Sequence, residues 1–314
     1  MDYIPEPTVR PFPGFNAAED GTALRKAMKG LGTDEKTIID ILTNRSNSQR
    51  QQISKFFTEE YGRNLIDDLK SELGGRFEDV IVGLMDPPVD YMAKQLHKAM
   101  EGAGTDETAI VEILCPRNNR EIKEIVVAYE RLFNRPLAEH LCSETGGEFR
   151  RLLVLLVTGV REEFNIDPNK AREDAEQLFN AGEAKWGTDE HVFNRILTHD
   201  SHAQLKLVFQ QYKEVSGGRC IEEALRNEIS GELLEVECVQ DKPLYFARRL
   251  QKAMEGLGTD DTTLIRILVS RCEIDLGNIK RMYEKVYDKT LESAVKSETS
   301  GDYKRALISL VGGP

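Results

Sequence analysis

Long apolar segments are absent from this chain of 314 residues. No run approaches the roughly 20 apolar residues that a membrane-spanning helix requires. The first 15 residues contain several prolines but no apolar stretch of the kind found in signal peptides. We therefore expect a cytoplasmic protein that reaches membranes, if at all, only from their surface.

Cysteine pairs and catalytic motifs are also missing. The five cysteines are an odd number, and no two of them stand at C-x-x-C spacing, which favours reduced thiols and argues against a zinc site. The sequence contains no P-loop, no G-x-S-x-G elbow and no H-E-x-x-H motif. We therefore do not expect an enzyme.

The chain has fewer basic than acidic residues: 42 Lys and Arg against 54 Asp and Glu, which gives a net charge of −12. Nucleic-acid binding requires clustered basic residues, so we expect no nucleic-acid partner. Direct attraction to an anionic membrane is disfavoured for the same reason. A contact mediated by a cation remains open.

The chain contains four copies of one short glycine-containing sequence motif, which we call the phrase. From the second glycine of each phrase, or from Gly187, the single glycine of the third, a glutamate follows after 40, 40, 41 and 40 residues. Such a recurrence is the signature of a repeat protein. The phrases are Gly30–Glu35, Gly102–Glu107, Lys185–Glu190 and Gly256–Asp261, and the glutamates are Glu72, Glu144, Glu228 and Glu298.

The distances between successive second glycines are 72, 83 and 71 residues. We therefore divide the chain into a tail, four repeats and a polar linker within the longer middle interval. The tail is 1–14, repeat 1 is 15–86, repeat 2 is 87–158, the linker is 159–169, repeat 3 is 170–242 and repeat 4 is 243–314.

Each repeat has the apolar spacing of helices. Apolar residues recur at i, i+3 and i+4 on both sides of the phrase, for example Ile38, Ile41 and Leu42 after the first one. We found no convincing alternating strand, and about 70 residues leave room for about five short helices. Threonine after the second glycine suits a helix N-cap, which predicts this role for Thr33, Thr105, Thr188 and Thr259.

The phrase offers oxygen ligands suited to calcium. A helix that ends leaves its last carbonyls without partners, and two glycines let the backbone turn so that further carbonyls point to one side. Calcium takes 6–8 oxygens, and three carbonyls with one bidentate carboxylate would leave roughly two positions open. Those positions, and the residual positive charge, suit an external anion such as a lipid phosphate.

Two other interpretations compete with this one. Each glycine loop could be only a helix–helix connection within a helical scaffold that binds proteins. A dinucleotide-binding loop is less suitable, because no strand precedes the phrase and no third glycine follows at the required spacing. Four copies at a nearly constant offset favour the calcium site.

Taken together, the phrases and their glutamates resemble those of the annexin family over essentially the whole chain. The resemblance rests on Met28–Glu35 and its three relatives, each joined to a segment such as Ser71–Gly75. It implies an all-α fold in which four repeats of about five helices pack into a curved disc. It also implies Ca²⁺ as the bound ion and calcium-dependent binding to acidic phospholipid membranes, and it leaves self-association on the membrane open.

Carried over residue by residue, the resemblance implies carbonyl ligands from three residues and a carboxylate ligand from one residue in each repeat. The third repeat departs from the pattern, since Lys185 stands where the other loops have their first glycine. The implied sets are Met28, Gly30, Gly32 and Glu72; Met100, Gly102, Gly104 and Glu144; Gly182, Lys185, Gly187 and Glu228; and Met254, Gly256, Gly258 and Glu298.

Repeat 3 carries three further departures. Trp186, the only tryptophan, stands at the tip of the loop, where an indole suits contact with the membrane interface. Repeats 1, 2 and 4 have an arginine after their second helix, whereas repeat 3 has His199 and Asp200 there. Its last segment has few apolar residues, with Glu237 at the position of Ile81, so we expect a shortened last helix and reduced stability.

Overall fold

The computed structural model describes residues 3–30, 32–102, 104–182, 189–225, 230–256 and 258–312. Within these ranges the regular structure consists of α-helices and includes no strand, which confirms the predicted all-α class with five helices in each repeat. The helices are α1 (Ala17–Ala27), α2 (Glu35–Leu42), α3 (Asn47–Tyr61), α4 (Leu65–Glu72), α5 (Gly75–Met85), α6 (Pro88–Met100), α7 (Glu107–Leu114), α8 (Asn119–Phe133), α9 (Leu137–Glu144), α10 (Gly147–Val157), α11 (Pro168–Gly182), α12 (Glu190–His199), α13 (His202–Val215), α14 (Ile221–Leu225), α15 (Ser230–Gln240), α16 (Lys242–Met254), α17 (Asp261–Arg271), α18 (Leu276–Tyr287), α19 (Leu291–Glu298) and α20 (Gly301–Gly312).

The helices form two compact units. Unit 1 comprises Met1–Tyr91 and Phe246–Pro314, and unit 2 comprises Met92–Tyr245. In unit 1, α1 packs on α3, and α20 packs on both α2 and α5. In unit 2, α11 packs on α13, α10 on α12, and α15 on α7. Unit 1 is therefore assembled from two segments that are far apart in the chain.

The predicted apolar positions form the core. Each residue that was placed on an apolar face beside a glycine loop is buried, and none is more than 8% exposed. Burying a Leu or Ile side chain contributes roughly 1.5–3 kcal/mol to folding, so these faces supply much of the driving force. They are Leu24, Ala27, Met28, Ile38, Ile41, Leu42, Leu96, Ala99, Met100, Ile110, Ile113, Leu114, Phe193, Ile196, Leu197, Leu250, Ala253, Met254, Leu264, Ile267 and Leu268.

The last helix of repeat 3 is not shortened, so that prediction is wrong. Helix α15 spans 11 residues, as do its counterparts α5 and α10. Its polar residues are accommodated in two ways. Glu235 is completely buried but accepts a hydrogen bond from Arg161 Nη2 at 2.7 Å, whereas Glu237 is only partly buried.

The arginine missing from repeat 3 is replaced by a lysine on another helix. In repeat 1, Arg45 donates to both carboxylate oxygens of Asp20, at 2.6 and 2.9 Å. In repeat 3, Lys170 forms ion pairs with both Asp174, at 2.9 Å, and Asp200. In repeat 3, one lysine between two carboxylates therefore connects α11 to the residue just before the N-cap of α13. In repeat 1, a single arginine–aspartate pair makes the corresponding connection.

The tail lies against repeat 4 within unit 1. The amides of Thr8 and Val9 donate to the carbonyl oxygen of Cys272 at 2.9 and 3.0 Å. The Glu6 amide donates to Asn278 Oδ1 at 2.7 Å, and the Glu6 carbonyl accepts from the Gly277 amide at 2.8 Å. These bonds connect the start of the chain to α18 and to the segment before it.

Candidate metal centres

The first glycine loop begins where α1 ends, with Met28 as the C-cap residue. The Asp34 amide donates to the carbonyl oxygen of Ala27 at 2.9 Å and closes the loop. The same bond recurs in repeats 2 and 4, where Asp106 and Asp260 donate to the corresponding alanines at 2.8 and 2.7 Å. The three loops therefore share the same closing hydrogen bond.

The glycines in these loops are required by backbone conformation. Gly30 and Gly32 have φ angles of +121° and +89°, and the glycines of repeats 2 and 4 have φ between +95° and +99°. A Cβ atom at any of them would meet nothing within 4 Å, so space does not explain the glycines. L-residues rarely adopt these φ values, and the turn that they allow is the one expected of a carbonyl-lined loop.

The N-cap residue of the helix after each loop is aspartate, so the prediction of a threonine N-cap is wrong. The Asp34 side chain accepts from the Thr37 amide at 3.0 Å and from the Thr37 hydroxyl at 2.7 Å. The hydrogen bond from the Thr37 hydroxyl holds the pKa of Asp34 below its usual value. Asp106, Asp189 and Asp260 cap α7, α12 and α17.

The loop threonine instead contacts the distant glutamate. Thr33 Oγ1 donates to Glu72 Oε2 at 2.8 Å. Thr105 Oγ1 donates to the Glu144 carbonyl at 3.0 Å, and Thr259 Oγ1 lies 3.5 Å from both the carbonyl and Oε2 of Glu298. In three repeats, therefore, each predicted carboxylate ligand belongs to a residue in contact with its own glycine loop.

The glutamate is presented by the end of a helix. Glu72, Glu144 and Glu298 are the last residues of α4, α9 and α19. An extended C-cap residue follows each of them, and two residues after it stands a glycine with φ near +60°: Gly75, Gly147 and Gly301. This turn starts the next helix, so the carboxylate lies between two helix ends.

Repeat 3 closes its loop with one more residue. The Asp189 amide donates to the Ala181 carbonyl at 3.1 Å, and Gly182 is the last residue of α11. The other predicted ligands of this repeat, Lys185, Gly187 and Glu228, lie outside the described residues, as does Trp186. Their assignments stay predictions.

The donors gathered at each loop are oxygen atoms. Among the described residues, no group of three or more His, Cys, Asp and Glu side chains could hold a metal ion. A metal at the described loops would therefore combine one carboxylate with main-chain carbonyls, a donor set that suits calcium. Helices α1, α6 and α16, which end at or just before Met28, Met100 and Met254, supply terminal carbonyls of this kind.

Among the described residues, none of the helices combines the length and the apolar character needed to traverse a bilayer.

Comparison with known proteins decides the family. The family model described as Annexin matches residues 19–84, 91–156, 173–236 and 245–310. The chain belongs to the annexin family. Annexins are known for calcium-dependent phospholipid binding and are generally non-enzymatic.

Individual relatives extend over the whole chain. This chain is 58% identical to annexin B10 of Drosophila melanogaster over an alignment of 320 residues, which covers 99% of each chain. The solved structure of annexin III superposes with a TM-score of 0.95 at 45% identity and covers 98% of this chain and 97% of that one. A calcium-bound structure of annexin (Sm)1 has a TM-score of 0.87 at 33% identity, with 98% and 93% covered.

Sequence reasoning missed the roles of the loop threonines and the aspartate caps. The threonine's partner is 39 residues away in the sequence, and only the fold brings the two together. The aspartate caps carried a local signal, because aspartate is a favoured N-cap residue and stands directly before each helix.

Proposed function

We propose that this annexin binds acidic phospholipid membranes through calcium ions held at its glycine loops. Each site would use three main-chain carbonyls and one glutamate carboxylate. When bound, Ca²⁺ supplies the positive charge that joins the carboxylate to a lipid phosphate. The association would be reversible, because a chelator removes that charge.

The observation that carries this proposal is the contact between each described loop and its glutamate. Thr33 holds the Glu72 side chain beside the loop at 2.8 Å, and repeats 2 and 4 bring the corresponding residues together. A loop that served only as a helix connection would not require an acid residue at the same place in three repeats. The glycine φ angles support the same conclusion.

Charge explains why the ion is needed. The protein carries a net charge of −12, so an anionic bilayer repels it on average. One carboxylate per site leaves a bound divalent ion with about one unit of positive charge and weak affinity in the absence of lipid. The membrane and the ion are therefore expected to bind together.

For repeat 3 we extend the proposal to Gly182, Lys185, Gly187 and Glu228, with Trp186 at the lipid headgroups. Carbonyl ligands tolerate Lys185, because the main chain and not the side chain would bind. The calcium-bound structure of annexin (Sm)1 supports calcium as the ion for the fold as a whole.

The test is sedimentation with phosphatidylserine vesicles across a calcium titration, repeated in a chelator. Replacing Glu72, Glu144, Glu228 and Glu298 by glutamine, one after another, should raise the calcium needed for half-maximal binding in steps. The matched control replaces Glu59, Glu130, Glu173 and Glu284, one exposed glutamate per repeat with the same change in net charge. It should leave the titration unchanged.

Vesicle binding that persists in chelator, or that ignores all four substitutions, would contradict the proposal. Either result would favour the second function class, a helical scaffold for protein partners.

A further inference from the structure

A groove of about 450 Å³ in unit 1 is not explained by calcium binding. It lies where α2, α19 and α20 meet. Lys36, Lys296, Lys304 and Arg305 line it together with Ile39 and Ile308. None of these residues belongs to the predicted calcium sites.

The basic residues of the groove are only partly neutralised. Asp40, which also lines the groove, pairs with Lys36, and Asp302 pairs with Arg305. Within the described ranges, the ammonium groups of Lys296 and Lys304 form no ion pair and no hydrogen bond. The four cations that line the groove face one lining carboxylate, in a protein whose overall charge is strongly negative.

Two of the cations, Lys36 and Arg305, also lie close enough to influence one another. The hydrogen bond to Asp40 raises the pKa of Lys36, whereas the charge of Arg305 acts in the opposite direction. Positive groups that repel one another across an open groove favour an anion between them.

Hydrogen bonds between the end of α2 and α20 hold the groove in shape. Thr43 Oγ1 lies 2.7 Å from Ser309 Oγ, and Asn44 Nδ2 donates to the same oxygen at 3.4 Å. These bonds join the end of α2 to α20. Ile39 is buried, while the Lys36 and Arg305 side chains are 74% and 55% exposed, so the cations are accessible above a fixed apolar wall.

The corresponding positions of unit 2 are built differently. Arg150, at the position of Lys304, donates to the Thr145 carbonyl at 2.7 Å, and Arg151 pairs with Glu148 at 3.4 Å. Cys142 stands at the position of Lys296. The cations there have partners within the protein, so the two open ammonium groups distinguish the groove of unit 1.

We propose that this basic groove binds a compact, multiply phosphorylated anion without calcium. Phosphate monoesters carry nearly two negative charges each, and lysine and arginine are their usual partners in proteins. Four cations line the groove, so an anion with several phosphates on one small ring offers more charged contacts than a single phosphate does.

The ligand could be free in solution or be the headgroup of a phosphoinositide lipid. The position of the groove permits the lipid. Lys36 stands two residues after Asp34, the last residue of the first loop, and Lys296 two residues before Glu298. One end of the groove therefore lies beside the helix ends that carry the proposed calcium sites of repeats 1 and 4.

The first measurement is calorimetric titration of the full chain with inositol hexakisphosphate in excess chelator. We expect saturable binding with one site per chain. The variant K296Q/K304Q should bind at least about tenfold more weakly, because it lacks two charged contacts to the anion. The control K55Q/K285Q removes two exposed lysines from α3 and α18 and should bind like the wild type.

The second measurement separates the two sources. Phosphatidylcholine vesicles doped with phosphatidylinositol bisphosphate are sedimented with the protein in chelator, beside vesicles doped with phosphatidylserine. Retention on the phosphoinositide alone, lost in K296Q/K304Q, identifies a lipid headgroup. Binding of the soluble anion without retention identifies a free ligand.

No binding of either probe by the wild type, or equal binding by K296Q/K304Q and the control, would overturn the proposal. Because both measurements exclude calcium, they are independent of the calcium-bridging proposal.

Discussion

Thr33 and Glu72 are 39 residues apart in the sequence, yet the Thr33 hydroxyl donates to the Glu72 carboxylate at 2.8 Å. This bond holds the carboxylate beside the glycine loop, at the place proposed for the ion. The loop and the end of α4 therefore form one preorganised unit, and a preorganised ligand loses less conformational entropy on binding.

The first prediction concerns this hydroxyl. Thr33→Val keeps the shape of the side chain and removes the bond to Glu72, so calcium affinity at this loop should fall about fivefold, since a hydrogen bond is worth about 1 kcal/mol. Calorimetric calcium titration in a chain with Glu144, Glu228 and Glu298 changed to glutamine isolates the first site. Thr58→Val, which removes an exposed bond to the Ser54 carbonyl on α3, is the control. Tighter binding by Thr33→Val would show that the threonine competes with the ion.

The second prediction concerns the buried pair of Arg161 and Glu235. Arg161→Met leaves the Glu235 carboxylate buried without its partner, and this should lower the free energy of unfolding by about 3–5 kcal/mol. Changing both residues, in Arg161→Met/Glu235→Leu, should recover part of that loss. Urea denaturation measures both variants, and equal stability of Arg161→Met and wild type would contradict the prediction.

The cost of Arg161→Met should also depend on pH. Burial raises the pKa of Glu235 even when Arg161 is present, and removal of the arginine raises it further. The folded state then binds more protons than the unfolded state above the ordinary value of 4.5, so the free energy of unfolding falls as pH rises through that window. The variant should approach wild-type stability in acid.

A third prediction concerns His202, whose Nε2 is buried and has no hydrogen-bond partner among the described residues. Burial, with smaller effects of Arg161, Lys242 and Lys206, lowers the pKa of His202 to about 3. Between that value and the ordinary 6.5, the unfolded state binds more protons, so stability falls as pH decreases from 6.5.

His202→Gln should remove this contribution. The slope of the free energy of unfolding against pH should decrease by at most about 1.4 kcal/mol per pH unit between pH values of about 4 and 6. Denaturation midpoints measured across that range test this, and an unchanged slope would show that His202 titrates normally.

The fourth prediction concerns the tail. A Cβ atom at Gly277 would lie 2.7 Å from the Glu6 carbonyl oxygen, a backbone atom that can move only with the tail. Gly277→Ala should therefore displace the tail, expose the amides of Thr8 and Val9 to hydrogen exchange, and cost about 1–3 kcal/mol. Gly312→Ala, where a Cβ meets nothing within 4 Å, should leave those amides protected.

The sequence predicted the features that depend on local pattern. Apolar spacing identified the helical faces, and the recurring phrase identified the repeats and the family. Residues such as Leu24 and Ile38 are buried because a helical period of 3.6 places them on one side. The information on the helical faces is contained within about ten residues of chain.

The errors came from contacts between distant segments. Glu235 made α15 look too polar for a complete helix, but its partner Arg161 is 74 residues away. Asp200 replaces an arginine, and Lys170, 30 residues away, compensates for it. The choice between Thr33 and Asp34 as N-cap was equally hidden, because both residue types can cap and the threonine's true partner lies on α4.

The two-segment composition of unit 1 has a consequence for biosynthesis. All of unit 2 is synthesised before residues 246–314, so it can fold while the last part of the chain is still being translated. Residues 1–91 cannot complete unit 1 until residues 246–314 have been synthesised. The hydrogen bond from the Glu6 amide to Asn278, for example, joins residues that are 272 positions apart. A transcript truncated after codon 245 would thus release a nascent product whose first 91 residues present an unmatched apolar surface to chaperones.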